Sequence, residues 1–427
     1  MTKMVHRSDR VRGEYIEVKH PSGLTILLYP MEGYSSAYAL FATKYGSIDT
    51  CFKTDKDDDF LTIPEGVAHF LEHKLFENED TDVFELYAKT GAAGNAFTSF
   101  DKTAYLFSCT DNFEESLSIL LSFVQSPYFT PQTVEKEQGI IGQEIRMYED
   151  NPGWRVFFNL LDALFVKHPV KIDIAGTVES IAQIDADLLY RCYHTFYNLN
   201  NMVLAIAGNF DPDAALRVAD KELKPAPPLV IENRRVEEPH HINKPEVRQK
   251  LEVSMPMFNI GFKGEAPAGT EEIRAIVETE ILLDLVVGEA SSLYRSLYEE
   301  GLINTTFGTE AFSGREYFAA VIGGESRNPM EVFSRVKAEI ARVRAEGIDE
   351  AVFEGCRKAA YGRYLRSFAH VESVATGLVT AYFGGFGPFD GVEAIANITL
   401  ADIVARLHNG FDLERAAISI IEPTKAS

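Results

Sequence analysis

The chain has 427 residues, 46% hydrophobic and 25% charged, with 41 basic and 64 acidic side chains giving a formal charge of −23. That length exceeds one ordinary core and predicts two domains, and the composition is that of a soluble globular protein rather than a disordered one. The acidic excess argues against nucleic acid as a partner, since phosphate would be repelled, and leaves a solvated surface or an attraction for basic peptides.

At the N-terminus, MTKMVHRSDRVRGEY has basic residues but no apolar run after them, so no secretory signal is expected. Residues 14–45 alternate apolar stretches and turn signals: EYIEVKH, a Pro21-Ser22-Gly23 turn, LTILLYP and SAYALFATKYG, read as strands of an antiparallel sheet. TDKDDDF (54–60) has aspartates spaced distantly like a calcium loop but lacks its glycine and closing glutamate, so a solvated loop is expected. In PEGVAHFLEHKLFEN (64–78), Pro64 suits a first helical turn, and Val67, Phe70, Leu71 and Leu75 recur at helical spacing. DVFELYAKTG reads as a helix capped by Gly91, followed by strands GNAFTSF and TAYLFSC. NFEESLSILLSFVQS and TVEKEQGIIGQEIRMYED are helical, and after further helix MVLAIAG is a strand.

The segment 225–245, PAPPLVIENRRVEEPHHINKP, carries five prolines and many charges and reads as a linker. The order then starts again: VRQKLEVSMP and FNIGFKG as strands, EEIRAIVETEILLDLVVG and SSLYRSLYEEG as helices, then YFAAVIGG and further helices. The expected fold is α+β, with two similar domains at 1–224 and 246–427, each a mainly antiparallel sheet packed with helices. Cys51, Cys109, Cys192 and Cys356 form no CxxC pair, which fits a reducing compartment and no thiolate zinc site. No apolar run approaches the roughly 20 residues of a membrane helix. A cytoplasmic protein with no membrane partner is expected.

His69 and His73 lie four apart on a predicted helix, one turn apart on one face, so both imidazoles can reach a single ion. Glu72 lies on the same side, near enough to touch a water on that ion without binding the ion itself. The spacing His-x-x-Glu-His inverts the commoner metallopeptidase order and is the signature of the inverted zincins. A catalytic zinc takes three protein ligands plus water, and a nearby carboxylate accepts the water's proton. The competing reading is two histidines beside a core helix, one paired with Glu72. The best source of a third ligand is the helix around Glu137 and Glu144, seven apart on one face, with Ile140 and Ile141 expected to bury that stretch. One of the two would bind the ion while the other supports a ligand histidine.

These residues together resemble the pitrilysin/insulinase family of zinc metallopeptidases, which includes the mitochondrial processing peptidases. The resemblance is carried by GVAHFLEHKLFEN (66–78), GNAFTSFDKTAYLF (94–107) and EKEQGIIGQEIRMYEDNP (135–152). HPVKIDIAGTVESI (168–181) and FYNLNNMVLAIAGNFD (196–211) add weaker support, and SSLYRSLYEEGLI continues it into the second half. The resemblance implies one zinc per chain held by His69, His73 and Glu144, with Glu72 as general base and Glu137 as supporting carboxylate. The interval from His73 to Glu144 is somewhat shorter than usual in the family, as a shortened surface loop would make it. Asn95, Ala96, Phe97 and Thr98 resemble the family's substrate-binding edge strand, which pairs backbone to backbone with an extended peptide.

One departure matters. The family needs an arginine and a tyrosine to help hold substrate, and here Tyr298 and Asn304 stand at those places, with Arg295 nearby but out of register. The resemblance therefore implies an endopeptidase acting on extended peptides or leader segments in a heterodimer with a related chain supplying the missing pair, a homodimer being the second choice. The alternative is a non-catalytic assembly subunit, a use the family also has. No metal motif is expected in 246–427.

Overall fold

The computed structural model of the chain describes residues 1–79 and 82–424. The chain packs as two compact units. The first comprises Met1–Ile145, Asp173–Arg235 and Arg366–Phe383; the second comprises Arg146–Ile172, Val236–Leu365 and the chain from Gly384 onward. The sequence reading draws contiguous domains at 1–224 and 246–427, whereas residues 146–172 and 366–383 pack away from their sequence neighbours. For the first of these segments the cause is visible: in the helix Pro152–Leu164, Leu160 and Leu164 lie directly over Gly261 of a second-unit strand. Within the expected linker, Ile231–Asn233 forms a strand paired with Cys51–Thr54.

The first unit holds a seven-stranded sheet. Its strands are β1 (Thr2–Ser8), β2 (Gly13–Lys19), β3 (Thr25–Pro30), β4 (Ala37–Thr43), β5 (Ala93–Thr98), β6 (Thr103–Cys109) and β7 (Met202–Gly208). They lie in the order β1-β2-β3-β7-β4-β6-β5, so among the described residues β5 is an edge strand paired only with β6. Strand β1 was not expected, because MTKMVHRS alternates nothing that a core could use; its ladder to β2, from Thr2 opposite Lys19 to Ser8 opposite Gly13, holds it as an outer edge.

The second unit holds a five-stranded sheet of β8 (Glu246–Leu251), β9 (Met257–Lys263), β10 (Gly308–Gly314), β11 (Tyr317–Glu325) and β12 (Ala416–Pro423), ordered β8-β12-β9-β11-β10. Taken in chain order, β3, β4, β5, β6 and β7 follow the same plan: in both sheets the first strand lies parallel to the fifth, and the second, fourth and third follow antiparallel. The expected α+β fold of two similar, mainly antiparallel domains is thus present, and the repetition extends to strand order. Each unit closes its own core, around Phe41, Phe70, Leu71, Tyr105 and Phe107 in the first and Phe258, Ile281, Leu282 and Ile420 in the second.

Candidate metal centre

Helix α1 spans Val67–Leu75, beginning one turn later than the proline signal implied: Pro64 precedes it, and Gly66 is its N-cap at φ 89°. A side chain there would be strained by the left-handed backbone and would meet the carbonyl oxygen of Ala175 at 2.4 Å. Gly176, also left-handed, faces Glu65 in the same way, so two glycines let the helix start press against the 173–177 turn. Val67, Phe70, Leu71 and Leu75 bury the helix in the core, and this fixes where His69 and His73 point.

Three further helices follow: α2 (Val83–Thr90), α3 (Phe113–Val124) and α4 (Pro131–Glu149). On α4 the buried line runs through Glu137, Ile141 and Ile145. Ile140 does not share it and is 45% exposed, so only one of the two isoleucines expected to cover this region does so. Glu144 is partly buried beside both histidines. Its Oε1 lies 3.7 Å from His69 Nε2 and its Oε2 lies 3.3 Å from His73 Nε2. On the far side of the His73 ring, Nδ1 pairs with Glu137 Oε1 at 3.0 Å. One ligand atom from each of His69, His73 and Glu144 lies within 4.8 Å of the other two.

The electrostatics separate the two imidazoles. Burial, together with the neighbouring His73, pulls the His69 pKa down, and its Nδ1 is buried with no hydrogen-bond partner among the described residues. His69 is therefore a neutral imidazole, the form that ligates metals. For His73, burial acts downward but hydrogen bonds to Glu137 and Glu144 outweigh it, and the pKa is raised. Two imidazoles and a carboxylate are a known catalytic-zinc donor set, and zinc bonds of about 2.0–2.2 Å leave ligand atoms about 3.3–3.5 Å apart in a tetrahedron. The two Glu144 oxygens stand 3.7 Å from His69 Nε2 and 3.3 Å from His73 Nε2, close to that spacing, and one ligand atom per residue lies within 4.8 Å of the others, a donor set that fits zinc after small side-chain adjustments.

Glu72 points from α1 toward β5. Its Oε2 accepts a hydrogen bond from Thr98 Oγ1 at 2.6 Å, and its pKa is raised, chiefly by burial, with the Thr98 hydrogen bond opposing. Of the four strand residues singled out from sequence, Thr98 and, by alternation, Ala96 face α1; Asn95 is exposed on the opposite face, its Oδ1 accepting from the Ala96 amide. The Thr98 contact has no sequence signal, because it needs both the strand register and the helix orientation. Behind α1 lies another feature without one: Tyr105 donates to the Leu71 carbonyl at 3.4 Å and shares a 2.8 Å hydrogen bond with Tyr197.

In the second unit Tyr298 is 48% exposed and stacks on Tyr294. Asn304 is engaged locally, donating to Glu325 and accepting from the Thr306 amide and hydroxyl. Arg295 lies on the same short helix as Tyr298, Ser292–Glu299.

A duplicated α+β fold with a His-x-x-Glu-His helix against a glutamate-bearing helix defines the inverted-zincin architecture. The chain belongs to peptidase family M16, the pitrilysin/insulinase family: residues 63–178 match the insulinase (peptidase family M16) model and residues 183–360 match the peptidase M16 inactive domain. It is 39% identical over 411 residues to the uncharacterized zinc protease YmfH of Bacillus subtilis (strain 168), covering 95% of this chain and 96% of that one. It is 33% identical over 162 residues to the mitochondrial-processing peptidase subunit beta of Caenorhabditis elegans, covering 36% and 35% of the two chains. A crystallised M16-like chain from Alicyclobacillus acidocaldarius superposes with a TM-score of 0.93 at 35% identity, over 99% of each chain. Among the described residues no helix is long and apolar enough to cross a membrane.

Proposed function

We propose that this chain is a zinc-dependent endopeptidase that hydrolyses extended peptides or leader segments, with Glu72 as the general base. The observation that carries the reading is a partly buried carboxylate, Glu72, next to a convergent His69, His73 and Glu144 cluster and hydrogen-bonded to an edge strand. His69, His73 and Glu144 would hold one zinc per chain, which when bound polarises a carbonyl and acidifies water. Glu137 orients the His73 ring through Nδ1, and Nε2 would bind the ion once the proton it shares with Glu144 is displaced. Glu72 takes a proton from the attacking water and returns it to the amine as the carbon–nitrogen bond breaks, so water is consumed and two peptides leave. The backbone of Asn95, Ala96, Phe97 and Thr98 would pair with the substrate along the open edge of β5, which tolerates varied side chains.

Tyr298 and Asn304 stand where the family's arginine and tyrosine are expected, and Asn304 is consumed by local hydrogen bonds. The reading therefore includes a cytoplasmic heterodimer with a related chain that supplies this pair, a homodimer being the second choice. The test is cleavage of an unstructured peptide by the purified chain, before and after chelation and after zinc is restored. Cleavage that stops with the chelator and returns with zinc is expected; cleavage indifferent to the chelator contradicts the reading. Adding the related chain should raise the rate, and full activity in a partner-free monomer would refute the heterodimer.

A further inference from the structure

We propose that Thr98 is a positioning residue for the Glu72 base, tying its carboxylate to the strand on which a peptide would pair. The inference rests on the peptidase reading above and adds to it: the side chain of Thr98 acts on the base, whereas the reading uses only the strand's backbone.

A glutamate side chain has three rotatable bonds, and a base must hold one oxygen near the water it deprotonates. The Thr98 hydroxyl grips Glu72 Oε2 at 2.6 Å, and the Thr98 backbone adds a hydrogen bond to the same carboxylate, which together restrict that freedom. Thr98 is itself well placed to act as an anchor. It is the last residue of β5 and sits opposite Thr103, whose hydroxyl donates to the Tyr45 carbonyl at 2.9 Å and so pins the end of the ladder in the core. Thr103 is fully buried, so the anchor is rigid on the β6 side. On its other side β5 has no neighbouring strand among the described residues. A peptide added there would draw on the same six residues that carry the hydroxyl, and the base would take its position from the strand that holds the substrate.

The experiment compares the zinc-loaded 427-residue chain with Thr98→Val, Thr98→Ala, Thr98→Ser and Glu72→Gln, reading kcat and KM on an unstructured peptide, zinc per chain, and the thermal midpoint. Thr98→Val keeps the shape and removes the donor; it should lower kcat about 10- to 100-fold while KM stays within about twofold and zinc is retained. Thr98→Ser should recover kcat to within about threefold of the parent, because the donor is restored. If the valine variant does not fold, Thr98→Ala carries the same expectation. Unchanged kcat in a folded, zinc-loaded valine or alanine variant overturns the proposal. So does a raised KM with unchanged kcat, which would make Thr98 a peptide contact only, or a serine variant as slow as valine. Glu72→Gln keeps the two claims apart: turnover in that variant refutes the peptidase reading itself, whereas its inactivity beside an active Thr98→Val refutes only the anchor.

Discussion

The two units use the same strand order but spend the same pair of helices differently. In the first, α1 leads the connection between the second and third core strands, and α4 is the second helix after the fourth; they meet through His69, His73, Glu137 and Glu144. In the second, Thr270–Val287 and Glu350–Ser367 hold those places in chain order, and they meet through an ion pair between Asp284 and Arg363. Glu280 lies nearby, pushed up to about 7 by burial, with Arg363 opposing. A guanidinium there repels a divalent ion and occupies the carboxylates that would bind one. One scaffold thus carries a convergent set of lone pairs in one copy and a self-satisfied ion pair in the other, and chemistry follows the side chains rather than the fold.

The largest effect should come from the proposed base. Glu72→Gln keeps the shape of the side chain but cannot take a proton, so kcat should fall by about 10³-fold while zinc content and thermal midpoint stay at parent values. Next comes the ligand set. Glu144→Gln should weaken zinc binding by more than Glu137→Gln, for which a loss of about 10- to 100-fold is expected because it acts through His73. Competition with a chromophoric chelator measures both, and the reverse order would exchange the two roles.

The second unit offers a contrast that zinc should not touch. Burial pulls the pKa of His168 down to about 4, its Nδ1 accepting from the Val170 amide at 3.1 Å and its ring set against Tyr317. The unfolded chain binds this proton near pH 6.5 and the folded one only near 4. The site's stability is therefore full above about 6.5 and is lost progressively as pH falls toward 4, by up to about 3 kcal/mol. Denaturant midpoints should fall across that window with or without zinc, and His168→Gln should flatten the trend. The smallest effect belongs to the ion pair. Arg363 and Asp284 are 43% and 27% exposed, so Arg363→Met should cost less than about 1 kcal/mol and leave zinc content unchanged.

The sequence was most legible where spacing alone decides geometry. A spacing of four from His69 to His73, and of seven from Glu137 to Glu144, puts each pair on one helix face, and the burial of Val67, Leu71 and Ile141 sets those faces. It was least legible where two distant segments must meet. The helix Pro152–Leu164 has an apolar face that any sheet would cover, so its packing on β9 of the second unit cannot be read from its own residues. Strand β1 lacks a buried face, and only its ladder to β2 reveals it. Ile140 and Ile141 are indistinguishable by composition, yet a rotation of 100° sends one to solvent. Thr98 looked like one backbone position in four, and only the register of β5 against α1 turns its hydroxyl onto Glu72.

The central claim is that His69, His73 and Glu144 together grip one divalent ion, and anomalous diffraction from crystals of the purified chain, collected on both sides of the zinc absorption edge, tests it most directly. One strong peak is expected within bonding distance of both Nε2 atoms and a Glu144 carboxylate oxygen, absent below the edge. A peak bound elsewhere, or none in crystals grown with zinc, would contradict it.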